Sequence, residues 1–329
     1  MRFADGAIAT RTNVYAEREM LKHAGPVMVL EKLALAKQMP KNKTDTIKFR
    51  RPVPFTAKTT PLVEGVTPDR TSFAYEDVSV SLRQYGDISE ITDVIEDLHE
   101  DPVGKDMAVQ HGENIGRTME ALDYGIVKAG TNVFYANGTA RTDVNTPISL
   151  AKQRAVTRAL KAQKARKITS ILDSSLKFAT RAVEAAYVAV SHTDLEADIR
   201  NMPGFIPVAQ YGQRQPISEH EIGVVEDCRY ILSPDLDPID DAGGAKLGMV
   251  STTGTSADIY PVLYFGKEAW GRVMLRGQGS VSPTIIPVGT KTKDDPLGQR
   301  GIVGWKSYHA ALILNQLWMA RLEVACTAL

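Results

Sequence analysis

Residues 287–325, PVGTKTKDDPLGQRGIVGWKSYHAALILNQLWMARLEVA, decide how the rest of the chain is read. The glycines, lysine and serine of GQRGIVGWKS (298–307) suggest at first a loop that cradles phosphates. Such a loop needs Gly-x-x-x-x-Gly-Lys-Ser/Thr, because the last glycine turns backbone N–H groups inward and the adjacent lysine reaches the outer phosphates. Here Gly298 and Gly304 stand six positions apart, and Trp305 separates the second from Lys306. No nucleotide site is expected. Pro296-Leu297-Gly298 reads as a turn that feeds a strand in which Trp305, Ser307 and His309 alternate with Lys306 and Tyr308, with Lys306 marking an edge or seam. The runs IYPVLYFG, RVMLRG, PTIIPVG, GIVGWKSYHAALIL and WMARLEVA are then successive short strands. Both their faces are apolar, as in a sheet covered on each side.

Working outward, 329 residues exceed the size at which one hydrophobic core usually keeps growing, so two or more lobes are expected. Lysine plus arginine equals aspartate plus glutamate, 39 against 39, so no global field marks nucleic acid or membrane as partner. Charge must act locally. Cys228 and Cys326 form no CxxC unit, which argues against a zinc knuckle, a redox pair or a disulfide scaffold. No apolar run resembles a signal sequence or a membrane span, and a cytosol-like compartment is expected.

Residues 1–44 carry eight basic and four acidic residues, a net +4. Helix-compatible pieces such as 27–35 are too short to stand alone, so this arm needs a surface to lie on. From Thr46 the period becomes two: Ile47, Phe49, Arg51 and Val53 alternate with Lys48, Arg50 and Pro52, and Val78, Val80 and Leu82 can pair with them. Pro54, Pro61 and Pro68 keep the intervening residues irregular. An isolated ribbon is marginal in water, and this one displays Phe55, Leu62, Val63, Val66 and Phe73 at its tip. With Phe49 on the strand, these residues are expected to contact another copy of the chain.

An acidic stretch, DISEITDVIEDLHEDP, precedes a long helix expected over about 102–129. Its stripe is Val103, Met107, Ile115, Met119, Leu122 and Ile126, with His111 at the gap as a structural residue. A second helix, about 149–165, is basic: Lys152, Arg154, Arg158, Lys161, Lys164, Arg166 and Lys167 meet no acidic residue until Asp173. These are expected charge contacts to DNA or to the acidic stretch of a neighbour, the alternative being a solvated face. LKFATRAVEAAYVAVSH reads as a helix-to-strand unit. Residues 233–258 read as a surface loop whose aspartates lack calcium-loop order.

Arm, protruding hairpin, long helix, α/β lobe and returning strands, in that order, resemble the major capsid proteins of tailed phages. More closely, AYVAVSHTDLEADIRNMPGFIPVAQYG, GVVEDCRYILSPDL and the opening stretch are similar to the enquatrovirus-like coat-protein family. The resemblance implies an α+β, Hong Kong 97-type fold with an N-terminal arm (1–44) and an extended hairpin loop (45–86). It also implies a peripheral domain with a long spine helix (87–172 and 272–329) and an axial domain (173–271). Its implied function is structural: hexamers and pentamers of the chain tile an icosahedral shell around double-stranded DNA, which lies against the inner surface without sequence readout. Decoration or scaffold protein and a portal are implied partners. The implied location is the virion, with assembly in the host cytoplasm and no membrane partner. Lys58 and Asn315 have the residue types of shell-welding isopeptide bonds, but no spacing specifies such a bond and none is expected.

An enzyme would need a constellation. His23, His99, His111, His192, His220 and His309 show no metal or catalytic spacing, Ser280 lacks a Gly-x-Ser-x-Gly frame, and no cofactor is expected. The second alternative is a nucleic-acid-binding protein acting through 152–167, which predicts salt-sensitive binding by the isolated chain.

Overall fold

The computed structural model describes residues 28–42, 44–98, 102–172, 180–212, 215–275, 281–291 and 293–329, with only the backbone of 170–172, 180–183 and 281. The chain begins with a 3₁₀ turn, Leu30–Leu33, and the strands β1 (Leu35–Met39), β2 (Thr46–Pro52), β3 (Tyr75–Ser81) and β4 (Arg83–Thr92). Helices α1 (Asp93–Leu98) and α2 (Val103–Lys128) follow, then β5 (Val133–Tyr135), α3 (Leu150–Ala162), β6 (Ile168–Leu172), β7 (Thr180–Ser191) and α4 (Glu196–Arg200). Strands β8 (Phe205–Pro207), β9 (Glu221–Val225), β10 (Cys228–Leu232), β11 (Ile259–Phe265), β12 (Trp270–Leu275), β13 (Val281–Ile286), β14 (Arg300–Ile313) and β15 (Met319–Ala325) complete it.

Among the described residues the strands make two main sheets and one ribbon. The smaller sheet is organised by β14, which pairs antiparallel with β4, β12 and β13, while β1 adds parallel to β12. The larger runs β5-β15-β11-β7-β10-β9-β8, with β6 on β7. Period-two alternation explains its two cores. Tyr187, Ala189, Tyr230, Val262 and Tyr264 pack on one face with Val156 and Leu160 of α3. Val188, Val190, Ile231, Leu263 and Phe265 pack on the other with Val29, Leu30 and Leu33 of the arm, Tyr124 and Val127 of α2, and Trp270. Every residue of β11 is therefore buried, which is why IYPVLYF is a continuous apolar run.

The 26 residues of α2 span roughly 39 Å at 1.5 Å per residue. Ala108, His111, Ile115, Met119, Asp123 and Val127 lie among its buried residues, three or four apart. Ala108, Ile115 and Met119 meet Val303 and Trp305 of β14.

Several expectations need correction. Lys306 sits on the exposed face of an interior strand, opposite Ser282 of β13 and Gly86 of β4, and marks no edge. The stretch read as helix-to-strand is strand over 180–191, because β10 and β11 flank it and its Val-Ala alternation serves two cores; its start lies outside the described residues. The arm's described part forms a strand and packs on its own chain. α3 and β15 pack with the larger sheet.

Candidate assembly surfaces

The hairpin leaves the body as β2 and β3, paired from Thr46↔Ser81 to Pro52↔Tyr75. The N–H of Val53 donates to the carbonyl of Ala74 at 3.0 Å, after which regular strand ends where the prolines begin. A left-handed Gly65 (φ +76°) turns the tip beside the bond from Val66 N–H to Val63 carbonyl. Aromatic rings brace the ribbon: Arg50 lies over Tyr75 (5.1 Å), Tyr75 meets Phe73 edge-on (4.6 Å), and Phe73 meets Phe55 (5.9 Å). Arg50 also pairs with Asp77 at 2.8 Å, holding that carboxyl below its usual range, and Arg51 pairs with Glu76.

Every residue from 50 to 77 is exposed. Phe55, Leu62, Val63, Val66 and Phe73, expected to touch a neighbour, are 54–77% exposed. Phe49 lies elsewhere. It is half-buried at the hairpin base against the group of Met39, Val273, Ala310 and Leu312, with the Lys37 ammonium 4.9 Å from its ring centre. The base thus belongs to its own subunit, and the tip has no cover there.

The arm's described part, expected to need a surface to lie on, is anchored on α2. The Glu120 carboxylate accepts the backbone N–H groups of Val29 (3.2 Å) and Leu30 (3.0 and 3.2 Å). Glu31 pairs with Arg272 at 2.9 Å. Arg272 lies 3.7 Å from Asp123 and donates its Nε–H to Nδ1 of His309 at 3.3 Å. Because Nδ1 accepts, the neutral ring carries its proton on Nε2. The Nε2 of His309 lies 2.9 Å from Asp123 Oδ1 without good hydrogen-bond alignment.

Glu120, Asp123, Arg272 and His309 are almost fully buried. Burial pushes the Glu120 carboxyl up to about 8, against the opposing pull of the Leu30 amide and with a further push from Asp123. Sequence periodicity put His309 on the same strand face as Trp305 and Ser307 but missed the two carboxylates. A signal existed: Glu120 and Asp123 continue the i, i+3 spacing of α2's buried side.

The basic residues of α3 and the segment after it divide into two sets. Arg154 donates to Glu226 (2.9 Å), while Lys161 and Lys167 (3.0 Å) hold Asp227 at the β9–β10 turn. Hydrogen bonds from Lys161 and then Lys167 keep Asp227 below its usual range. Arg158, Lys164 and Arg166 are exposed and pair with no carboxylate among the described residues, and Lys152 is half-buried without one. Among the described residues no group of His, Cys, Asp and Glu is placed to hold a metal. The loop 233–258 is internally tied: Asp258, buried, accepts the N–H groups of Asp241 (2.8 Å) and Thr252 (3.1 Å). Lys58 reaches the Asp69 carbonyl within the hairpin, and the Asn315 side chain accepts from Leu317 N–H at 3.1 Å.

A family model described as phage capsid protein matches residues 75–322, well over half of the chain. The chain belongs to the phage capsid protein family. Among solved structures, this capsid subunit is similar to the capsid of Ralstonia phage GP4, at 13% identity, with a TM-score of 0.67 over 92% of this chain and 90% of that one. It is also similar to the Cyanophage Pam1 capsid asymmetric unit, at 13% identity and TM-score 0.63 over 93% and 92%. The capsid of Cyanophage P-SCSP1u follows at 14% identity, TM-score 0.59, over 91% and 89%. No curated protein matches. At these identities the likeness is one of fold, and it is the Hong Kong 97-type α+β fold of tailed-phage capsids. As a capsid protein the chain is a structural component of the virion that self-associates into the shell.

Proposed function

We propose that the capsid subunit tiles a closed icosahedral shell of hexamers and pentamers around double-stranded phage DNA, and that its hairpin, 45–86, lies over an adjacent copy. Assembly takes place in the host cytoplasm, the DNA lies against the inner surface without sequence readout, and the role is structural rather than enzymatic. The peripheral domain comprises residues 87–172 and 272–329, and the axial domain residues 173–271.

One observation carries this reading: a ribbon stiffened by Arg50, Tyr75, Phe73 and Phe55 presents apolar residues that its own subunit leaves wet. Covering a Phe or Leu side chain contributes about 1.5–3 kcal/mol, and a shell repeats that contribution at every seam. The double substitution Phe55→Ser, Leu62→Ser leaves the subunit folded by circular dichroism and abolishes sedimenting particles. Parental yields of normal shells from that variant would refute the hairpin's role.

A further inference from the structure

The chain is neutral overall, yet its charge is segregated into two blocks. The segment between Arg83 and Lys105 holds seven Asp or Glu and no Lys or Arg, and that between Asp143 and Asp173 holds seven Lys or Arg and no Asp or Glu. The structure keeps them apart. The described part of the acidic block ends in α1, on the smaller sheet, where Glu96 and Asp97 are exposed and pair with no cation among the described residues. Around them Val94, Ile95 and Leu98 are 60%, 44% and 82% exposed, so this helix has an apolar face without cover as well as unspent charge.

A surface of opposite character lies past the end of α3. Trp318 donates its indole N–H to the Gln163 carbonyl at 3.1 Å, and beside it opens a cavity of about 390 Å³. Leu35, Leu314 and Trp318 give its walls apolar character, and four cations, Lys37, Arg50, Arg51 and Arg166, outnumber the two carboxylates, Glu76 and Glu268, so its net charge is positive. The exposed Lys164 follows α3 two residues before Arg166, and Leu317 is half-exposed beside Trp318. An apolar ridge flanked by carboxylates and an apolar hollow flanked by cations are complementary in both respects.

They cannot meet within one subunit. α1 follows the end of β4 where Thr92 opposes Arg300, and Asp93 N–H donates to the Gln299 carbonyl at 2.9 Å, at the start of β14. The cavity is lined by Leu314 and Asn315, just past the other end of β14. The strand's 14 residues put roughly 45 Å between the two at ~3.3 Å per residue. Two different patches at opposite ends of one molecule pair head to tail between copies, and repetition of such a contact closes into a ring when the rotation between copies closes.

We propose that α1 of one subunit docks in the cavity beside Trp318 of the next, with Glu96 and Asp97 facing Lys164 and Arg166. The proposal rests on the shell-forming reading and names a contact within it. Nucleic acid is the competing occupant of the basic side. The neighbour is favoured because the hollow has apolar walls and this same chain carries an exposed apolar ridge of opposite charge.

Charge reversal in the full-length protein tests the contact. Glu96→Lys with Asp97→Lys, and separately Lys164→Glu with Arg166→Glu, are expected to leave the fold intact and lower particle yield at least tenfold by sedimentation and negative-stain microscopy. The fourfold variant is expected to regain particles. Parental yield from either double variant, or no recovery in the fourfold variant, overturns the proposal. So does a Lys164→Glu, Arg166→Glu variant that assembles normally but carries less nucleic acid, an outcome that assigns the basic side to DNA.

A second measurement does not depend on particles. Asp97→Cys with Arg166→Cys, oxidised, is expected to give a ladder of trimers and larger species on non-reducing gels, whereas each single variant stops at dimers. A parental chain that forms no particles contradicts the shell-forming reading. Absence of the ladder contradicts this contact.

Discussion

Glu120 shows what a single residue does in this fold. Its buried carboxylate accepts two arm amides, and burial raises its pKa to about 8. The sign of the pH dependence follows from linkage. A carboxyl whose folded value lies above its unfolded one holds a proton that the unfolded chain has already released. Its contribution is therefore most favourable in acid and declines as pH rises from about 4.5 to about 8. The parent's thermal midpoint is expected to fall over that window, and Glu120→Gln, which keeps an acceptor without the charge, should flatten the decline. An unchanged slope would show that Glu120 stays ionised. Asp123 and Arg272, which act on this group, remain in both proteins.

Glycine at 304 acts by absence. A Cβ there would lie 2.7 Å from the Asp87 carbonyl oxygen across the β4–β14 pairing, a distance that real Cβ contacts do not adopt. Gly304→Val is expected to cost more than about 2 kcal/mol in urea unfolding, with insoluble expression as the extreme. A wild-type midpoint would mean that the two strands part easily. The sequence drew attention to these glycines for the wrong chemistry: they answer to backbone approach, as Gly298 does with its left-handed φ of +74°.

At the level of elements, legibility followed periodicity. α2 was expected over about 102–129 and occupies Val103–Lys128, because its apolar stripe holds the 3.6-residue period for seven turns. β2 and β3 alternate cleanly and pair in the expected sense. β1 was missed, since LAKQM has no clean pattern and becomes a strand only because β12 offers a parallel edge. The stretch now seen in β7 was misread because alanines favour helix locally, and two flanking strands overrule them. The exposure of the hairpin tip was legible because five apolar residues sit among prolines and charges. Phe49 was assigned to the same surface because alternation gives a residue's face but not what covers it.

The whole molecule separates a body with its own cores from parts that its own chain leaves uncovered. Two apolar cores sandwich the larger sheet, and α2 ties the smaller sheet to the arm. The hairpin tip and the face of α1 have no such partner among the described residues. A subunit built this way is stable as a unit and unsatisfied at its edges, and repetition of weak contacts around a closed surface resolves that without any single tight interface. Analytical ultracentrifugation of the purified full-length chain, with negative-stain microscopy of its fastest fraction, tests this most directly. The predicted result is large, uniform, closed particles, or capsomer-sized rings that convert to them. A homogeneous monomer persisting at high concentration would contradict the account.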